Sequence, residues 1–364
     1  MTDPLQRFVQ QSVSRGMPKQ DLQETLVKAG WPRDLVLQYL GKTIAVTSTP
    51  GKPILRVQGV TKTFHGRKVL DNVNLDITQG EVFGIIGQSG SGKTTLLNLL
   101  VGFLQPDAGS VSLWLPKGPQ SVTSDPEATK SFIGFAAQSP SVQPDLTIAE
   151  NISYFSQLHG KSERQAQQAA QTLSKLVGLH DYKDVRASEL SGGMQKRLDL
   201  ACALVHDPKL LILDEPVADL DVVLRAQLWD VLRAINKQGT TILIASHFLA
   251  ELEQVCDRIG IMRNNRVAEI GTPEELRVIY SRNQEIRLEL ASHAYENVLA
   301  VLKKDATLQV SKTIKDGNRL KIQTAQPTAT LDAILKDARQ RKDSIVHVEM
   351  GRPTVRELFE ELLT

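Results

Sequence analysis

The sequence predicts an α/β fold, in which a parallel sheet and its helices lie between a small helical module and a C-terminal α+β module. Short apolar runs at 82–86, 210–213 and 240–245 are typical of buried parallel strands. A glycine-rich turn joins the first run to a helix-forming segment, and two carboxylates, Asp214 and Glu215, follow the second run. Because ligands bind at the carboxyl edge of such sheets, this edge is the expected functional site.

The overall composition is typical of a globular protein with several domains. The chain has 364 residues, of which 41% are hydrophobic and 23% charged, a length that favours two or three domains. The net charge of +2 gives no case for nucleic acid as a partner. No apolar stretch approaches the roughly 18 residues of a membrane span, and the first residues lack a signal-peptide core. These features predict a cytoplasmic protein that reaches a membrane only through a partner.

The first part of the chain reads as a separate module. Residues 1–41 show three short helical patterns, separated by Gly and Pro near 16–18 and 30–32. A bundle of this size resembles ubiquitin-associated-like domains, so it is either a protein-binding module or an appendage that docks on its own chain. Residues 42–53, rich in Thr, Pro and Gly, are predicted to be a linker.

The glycine-rich turn matches the phosphate-binding pattern G-x-x-x-x-G-K-[ST]. Its residues are Gly87, Gln88, Ser89, Gly90, Ser91, Gly92, Lys93 and Thr94, followed by Thr95. Glycine permits the dihedrals that turn successive backbone N–H groups into one concavity, and the following helix N-terminus adds partial positive charge. Lys93 is placed for the β- and γ-phosphates, and the Thr94 hydroxyl for Mg²⁺. The alternative, a chance glycine-rich turn, is disfavoured by the strand before it and the helix after it.

Further polar residues follow core strands or begin helices. Asp214 suits the Mg²⁺ shell, and Glu215 suits orientation or deprotonation of an attacking water. Ser191 opens a second helix from a Ser-Gly-Gly loop, again an anion-binding arrangement. His247, at the end of a core strand, is interpreted as a γ-phosphate contact. Phe64 precedes the phosphate loop, and its position alone leaves stacking on a base and burial in the core equally open.

In this order the motifs resemble those of the ATP-binding cassette (ABC) ATPases, over residues 54–280. The matching positions are the P-loop Gly87–Thr94, the Q-loop Gln138, the signature Leu190–Gln195 (LSGGMQ), the Walker B Asp214 with Glu215, the D-loop Asp221 and the switch His247. The signature combined with the other motifs is very specific. Ala137, Asp219 and Val222 depart from the usual family residues without removing a catalytic group.

The resemblance implies a P-loop NTPase cassette with a RecA-like parallel core, an antiparallel β subdomain and a helical subdomain at about 139–200. It also implies ATP and Mg²⁺ as ligands. Lys93, Gln138, Glu215 and His247 would carry hydrolysis, and Thr94, Gln138 and Asp214 would hold Mg²⁺. Phe64 would stack on adenine, which favours the first of its two interpretations.

The resemblance further implies that two cassettes pair head to tail. Each ATP would then lie between the P-loop of one subunit and Ser191 and Gly193 of the other, with Asp221 at the same interface. The chain holds one P-loop and one signature, so a second cassette, in the simplest case an identical one, is an expected partner. An integral membrane permease is the other, which places the chain at the inner face of the cell membrane.

The C-terminal region narrows the choice of subfamily. Residues 284–350 alternate in a βαββαβ order typical of a ferredoxin-like domain, and a last helix is predicted at 353–363, completing a domain at 284–364. The ending resembles the tail of drug-resistance-type exporter ATPases of the ABC-2 group, so an exporter is the leading hypothesis. The alternatives are an importer ATPase regulated through this domain, a soluble non-transport ABC ATPase, and a non-catalytic adaptor. The intact Glu215 and His247 disfavour the adaptor.

Overall fold

The computed structural model describes residues 9, 12–13, 19–28, 31, 36, 40, 52–116, 118–218, 220–280 and 284–351. It divides into two compact units, one of residues 47–272 and one of residues 1–46 with 273–364. Most of the predicted linker, the predicted helix at 353–363 and Asp219 lie outside the described residues. Among the described helices, none combines the length and apolar character needed to cross a membrane.

Near the N-terminus the structure describes one complete helix, α1 (Lys19–Lys28). Five buried apolar residues of this region pack together, namely Val9, Leu22, Leu26, Val36 and Leu40. The spacing of Leu22 and Leu26, one helical turn apart, places both on the same side of α1. The first and third predicted helices lie largely outside the described residues.

The unit of residues 47–272 contains the α/β core. Its strands are β1 (Pro53–Phe64), β2 (Arg67–Thr78), β3 (Val82–Gly87), β4 (Ala108–Leu115), β5 (Gly118–Ser121), β6 (Ile133–Ala136), β7 (Leu210–Asp214), β8 (Thr241–Ser246), β9 (Arg258–Arg263) and β10 (Arg266–Gly271). Its helices are α2 (Lys93–Leu100), α3 (Pro126–Phe132), α4 (Ile148–Leu158), α5 (Glu163–Leu176), α6 (Gly192–Ala203), α7 (Val222–Lys237) and α8 (Leu249–Val255).

Two sheets build this unit. Six strands lie in the order β10-β9-β3-β8-β7-β6, where β10 is antiparallel to β9 and all other neighbours are parallel. The order β2-β1-β4-β5 forms a separate antiparallel sheet. Every residue of β3, β7 and β8 is buried, as expected for parallel strands covered on both faces.

Helix α2 connects the two sheets through one hydrophobic core. Its buried residues Leu96, Leu97, Leu99 and Leu100 belong to a cluster that includes side chains of both sheets, such as Leu55 of β1. Full burial of each leucine stabilises the fold by about 1.5–3 kcal/mol relative to exposure. Packing on two sheets therefore fixes the helix, and with it the position of its N-terminus beside the end of β3.

Of the three helices between β6 and β7, the first two begin with complete capping boxes. Thr147 and Glu150 form the one at α4, and Ser162 and Gln165 the one at α5. The sequence pattern at 147–186 predicts mostly helix, which α4 and α5 confirm. The three prolines and the polar tract of 116–130 predict a loop, which is wrong in part, because β5 pairs with β4 and Asp125 caps α3. Asp before Pro is a helix-start signal that the polar composition of this stretch concealed.

After α9 (Pro273–Tyr280), the C-terminal region contains a further sheet with helices. The elements are β11 (Gln284–Leu290), α10 (Glu296–Lys304), β12 (Val310–Asp316), β13 (Arg319–Thr324), α11 (Pro327–Arg341) and β14 (Ile345–Gly351). The strands are antiparallel in the order β12-β13-β11-β14. The sequence pattern predicts a strand over 307–312, but β12 starts at Val310, because Asp305 caps a short 3₁₀ turn over Ala306–Leu308.

Candidate functional site

The glycine-rich loop leaves β3 at Gly87 and enters α2 at Lys93. Gly90 and Gly92 have φ values of 78° and 102°, a region that only glycine occupies without strain. At Gly92 a Cβ atom would also lie 2.8 Å from the carbonyl oxygen of Val69, so no larger residue fits there. Lys93 Nζ donates to the carbonyl oxygens of Gly87 (2.8 Å) and Gln88 (3.2 Å). The loop therefore folds around the Lys93 ammonium group.

The remaining loop residues differ in exposure. Gln88, Ser89 and Gly90 are exposed, whereas Ser91 and Thr95 are half-buried. The exposed tip of the loop is thus open to a ligand, and its sides are packed against the protein.

Two carboxylates, at and just after the end of β7, lie beside this loop. Asp214 and Glu215 are both buried, with exposures of 2% and 6%. Thr94 Oγ1 donates to Asp214 Oδ2 at 2.8 Å, and Lys93 Nζ lies 3.8 Å from Glu215 Oε1. Within the described part of the chain, the buried Asp214 Oδ1 has no hydrogen-bond partner. A carboxylate oxygen left in this state is suited to a metal ion or to a ligand donor.

Burial sets the electrostatics of these groups. Desolvation raises the pKa of the Asp214 carboxyl, and the hydrogen bond from Thr94 opposes this effect. Desolvation lowers the pKa of the Lys93 ammonium, while the charges of Glu215 and Asp214 raise it. The Lys93 ammonium group therefore offsets part of the charge of the two carboxylates, whereas the charge of Glu215 further raises the pKa of Asp214.

Glu215 has an uncommon backbone conformation, with φ of 50° in the left-handed region. Its backbone N–H donates to the carbonyl oxygen of Ala245 at 2.8 Å, and its own carbonyl accepts a bond from Lys196 Nζ at 2.9 Å. His247 Nδ1 donates to Glu215 Oε2 at 2.8 Å, and Ser246 Oγ donates to the same oxygen at 3.4 Å. Both the main chain and the carboxylate of Glu215 are thus held from several directions.

The other predicted site residues lie outside this hydrogen-bonded cluster. Phe64 ends β1 and is 38% exposed, so its ring is not a core residue, and Lys62 Nζ lies 5.5 Å from the ring centroid. Gln138 is exposed two residues beyond the end of β6. Both side chains are therefore accessible to a ligand.

The signature loop and the D-loop each begin a helix. Ser191 caps α6 and accepts a bond from Met194 N at 3.3 Å. Gly193 is buried, and a Cβ atom there would lie 2.8 Å from Leu220 Cδ2. Asp221 caps α7 in the same way, accepting a bond from Leu224 N at 2.9 Å. Both caps are exposed, so these helix N-termini can meet a partner molecule.

Hydrogen bonds and ion pairs thus join five predicted residues, Lys93, Thr94, Asp214, Glu215 and His247, which are far apart in the sequence. Sequence reasoning did not identify Lys196 as a neighbour of Glu215. One signal for this contact was available in the sequence. Lys196 lies in the helix that begins at the signature loop, and the next strand in the chain leads to the two carboxylates.

Several known proteins are similar to this chain. The family profile described as "ABC transporter" matches residues 70–218. Nod factor export ATP-binding protein I of Bradyrhizobium diazoefficiens is 36% identical over 219 residues, which cover 60% of this chain and 70% of that protein. Daunorubicin/doxorubicin resistance ATP-binding protein DrrA of Streptomyces peucetius is 36% identical over 223 residues, covering 61% and 66%.

Solved structures give the same result. The cbiO1 protein of Clostridium perfringens, part of the ABC transporter complex cbiONQ, is 29% identical, with a TM-score of 0.57 over 62% of this chain and 91% of that one. A dimeric ATP-binding cassette in a post-hydrolysis state, bound to ADP and Pi, is 28% identical, with a TM-score of 0.55 over 60% and 98%. This chain therefore belongs to the ATP-binding proteins of ABC transporters and is an ATPase of that family.

Proposed function

We propose that this chain hydrolyses ATP at the carboxyl edge of its parallel sheet and so drives a separate membrane permease that exports its substrate. The observation that carries the proposal is the buried cluster in which Lys93 and His247 both contact Glu215. The two relatives named for Nod factor export and for drug resistance support the direction of transport.

The chain's residues divide between binding and hydrolysis. The backbone N–H groups of the loop over Gly87–Thr94 cradle the phosphates, with Lys93 on the β- and γ-phosphates. The exposed ring of Phe64 supplies a stacking surface for adenine, a contact worth about 1–3 kcal/mol for a base on an aromatic ring. Thr95 continues the helix N-terminus that faces the phosphates.

The residues beside the loop fit Mg²⁺. Thr94 Oγ1 and the unpartnered Asp214 Oδ1 are hard oxygen donors, the type that Mg²⁺ prefers, and Gln138 would add a third. When bound, the ion neutralises charge on the phosphate oxygens.

Glu215 is the proposed base that orients the attacking water and accepts its proton. Its Oε2 is engaged by His247, while Oε1 is the oxygen nearest Lys93. Holding one carboxylate oxygen in this way leaves the other to face the water in a fixed orientation, which saves the cost of ordering the group during reaction. His247 thereby keeps Glu215 in place, and it is also the proposed contact to the γ-phosphate.

We propose that the second cassette is another copy of this chain, paired head to tail. The exposed caps at Ser191 and Asp221 support this, because each is a helix N-terminus able to meet charged phosphate or a partner's main chain. The exposed Val222 and Val223, at 81% and 66%, add apolar area beside the second cap. Ser191 and Gly193 of one copy would then close over the ATP on the other.

The permease is proposed to contact the part of the chain between β6 and α6. A mainly apolar cavity of about 360 Å³ borders this part, lined by Phe155 of α4 together with Phe103 and Phe135 from earlier in the chain. Phe103 is 66% exposed and Leu158, on α4, is 64% exposed. An apolar segment of a permease on the inner face of the cell membrane would cover this surface.

We further propose a three-part organisation, with an N-terminal bundle at 1–41, a cassette at 54–280 and an accessory domain at 284–364. The strand order β12-β13-β11-β14 with two helices supports a ferredoxin-like class for the accessory domain. The N-terminal bundle is proposed to bind a protein partner.

Co-purification tests the function. A full-length Glu215→Gln variant is incubated with ATP and solubilised native membranes, and the proteins that remain bound are identified by mass spectrometry. Recovery of a multi-span permease of the export type, dependent on ATP, is expected. Recovery of an import-type permease would contradict the direction of transport. Recovery of soluble proteins alone, when the closed dimer is verified, would contradict the transporter function.

A further inference from the structure

The segment that carries Gln138 is short and is fixed at both ends. Before it, Ala136 pairs with Leu213 of the neighbouring strand β7. After it, Ser141 donates two hydrogen bonds to helix α6. Only Ala137–Pro140 lies between these two attachments, so a shift of Gln138 is passed to one of them rather than absorbed by a long loop.

The attachment at α6 is Asp199. Ser141 donates to Asp199 Oδ1 through its backbone N–H at 2.9 Å and through Oγ at 2.8 Å. Asp199 is 3% exposed, and burial raises the pKa of its carboxyl while the bonds from Ser141 lower it. A buried carboxylate is costly unless it is hydrogen-bonded, and the two bonds from Ser141 meet this need at Oδ1.

The same segment is also fixed to α4. Asn151, which is fully buried, accepts a bond from Gln143 N at 2.8 Å and donates to the carbonyl oxygens of Gln143 and Leu146, both at 3.0 Å. From Ser141 onward, the chain is therefore part of the helical region.

Helix α6 also contacts the catalytic strand. Lys196, one turn before Asp199, donates to the carbonyl oxygen of Glu215 at 2.9 Å. The helix begins at Ser191, the proposed contact to the partner's ATP. One rigid element thus connects the segment after Gln138, the backbone of Glu215 and the signature loop.

We propose that Asp199 is a positioning residue that transmits the position of Gln138 to the signature helix α6. When Gln138 moves toward the nucleotide of its own subunit, the Ser141–Asp199 bonds pull α6 and bring Ser191 into line with the nucleotide held by the partner. This inference rests on the proposed roles of Gln138 and Ser191. Asp199 itself contacts neither nucleotide nor water in the reaction.

Two substitutions at Asp199 test the role in the full-length protein. Asp199→Leu keeps the approximate volume but removes the acceptor, whereas Asp199→Asn keeps an oxygen for both Ser141 donors. Steady-state hydrolysis is measured over a range of Mg-ATP concentrations. For Asp199→Leu we expect kcat to fall about tenfold with KM changed less than about twofold, as for loss of hydrogen bonds to a buried charged group. For Asp199→Asn we expect at least half of the original kcat.

A double-mutant cycle that combines Asp199→Leu with Gln138→Ala distinguishes coupling between the two residues from a general loss of activity. If Asp199 acts through Gln138, adding Asp199→Leu to Gln138→Ala lowers kcat by less than about twofold further. If the fold-losses in kcat of the two single variants multiply in the double variant, the proposed coupling is overturned, while the role of Gln138 stands. A Gln138→Ala variant with unchanged kcat would instead overturn the role of Gln138, and the coupling with it.

A milder pair of variants covers the case in which Asp199→Leu does not fold. Ser141→Ala removes one of the two bonds from an exposed residue, and Ser139→Ala is the matched control in the same segment. We expect kcat to fall about threefold for Ser141→Ala, since one neutral donor is lost, and to stay unchanged for Ser139→Ala. Equal kcat for the two variants, or equal loss for Asp199→Asn and Asp199→Leu, would overturn the proposal.

Discussion

His247 Nδ1 lies 2.8 Å from Oε2 of Glu215, a residue whose own backbone is held in the left-handed region. The bond joins the ends of two neighbouring parallel strands, β7 and β8. Because the main chain at Glu215 is strained, the surrounding contacts must hold it, and they do so through Ala245, Lys196 and His247. Contacts within the protein itself therefore orient the carboxylate.

Replacing Glu215 by Gln removes the proposed base but keeps the shape of the side chain. We expect hydrolysis to fall by about 10²- to 10⁴-fold, the usual contribution of a general base, while ATP still binds. ATP-bound dimer should accumulate because the step that reopens it is blocked. Phosphate release and size-exclusion chromatography with ATP measure both effects. Glu127→Gln, at a surface ion pair with Lys130, serves as the control. Turnover within a few-fold of the unmutated protein would refute this role.

We expect the charged Asp214 side chain to serve the proposed function while lowering the folding stability of the nucleotide-free protein. Burial raises the pKa of its carboxyl in the folded protein, so the charged form is disfavoured there. The stability that protonated Asp214 supplies is present at low pH and is lost as the pH rises through the folded pKa. Asp214→Asn should therefore raise the Tm of the nucleotide-free protein at pH 8 by about 2–4 °C, the effect of about 1 kcal/mol in a domain of this size.

The gain from Asp214→Asn should shrink as the pH is lowered toward the raised folded-state pKa of Asp214, because the unmutated carboxyl takes up its proton there. Differential scanning fluorimetry at several pH values measures this dependence, and hydrolysis should be strongly reduced in the same variant. A Tm gain that is equal at all pH values would show that the carboxylate charge is not its cause.

Lys93→Ala tests the phosphate loop. The ammonium group bonds the loop carbonyls of Gly87 and Gln88, so it both shapes the loop and supplies charge. We expect ATP affinity to fall at least about tenfold, or about 1.4 kcal/mol, as for a lost charge-assisted contact. Isothermal titration calorimetry gives the affinity, and Lys175→Ala, at an exposed position of α5, is the control. Unchanged ATP binding in Lys93→Ala would contradict the loop assignment.

Replacing each of two loop glycines by alanine should lower stability and ATP affinity to different extents. Both Gly90 and Gly92 have positive φ, so each substitution introduces backbone strain of about 1 kcal/mol. At Gly90 the added methyl group meets open space, whereas at Gly92 it meets the carbonyl oxygen of Val69 at 2.8 Å. Gly92→Ala should therefore lose clearly more thermal stability and ATP affinity than Gly90→Ala. Equal losses would show that strain alone, without the clash, sets the effect.

Most of the core could be predicted from the sequence, because apolar runs and motif residues follow one another as clearly separate segments. The strands ending at Gly87, Asp214 and Ser246 each consist mainly of an apolar run, and the structure buries all three. The membership of Lys93, Asp214 and Glu215 in one cluster followed from the parallel-strand rule.

What could not be predicted depends on contacts between distant residues. Nothing local to Asp199 shows that it accepts two bonds from Ser141, and nothing in the stretch 116–130 shows that β5 pairs with β4. The left-handed backbone of Glu215 was also not foreseen, since it is imposed by the neighbouring strand and not by residue type.

The place of β3 in the sheet has a consequence for biosynthesis. This strand lies between β9 and β8, yet both are made about 150 residues or more after it, which corresponds to roughly 8–30 s at ordinary rates of translation. During that time the apolar sequence VFGIIG has no strand to pair with on either side. Such a segment is prone to associate with other chains, so newly made protein should depend on chaperones that cover it until the ribosome has delivered β9.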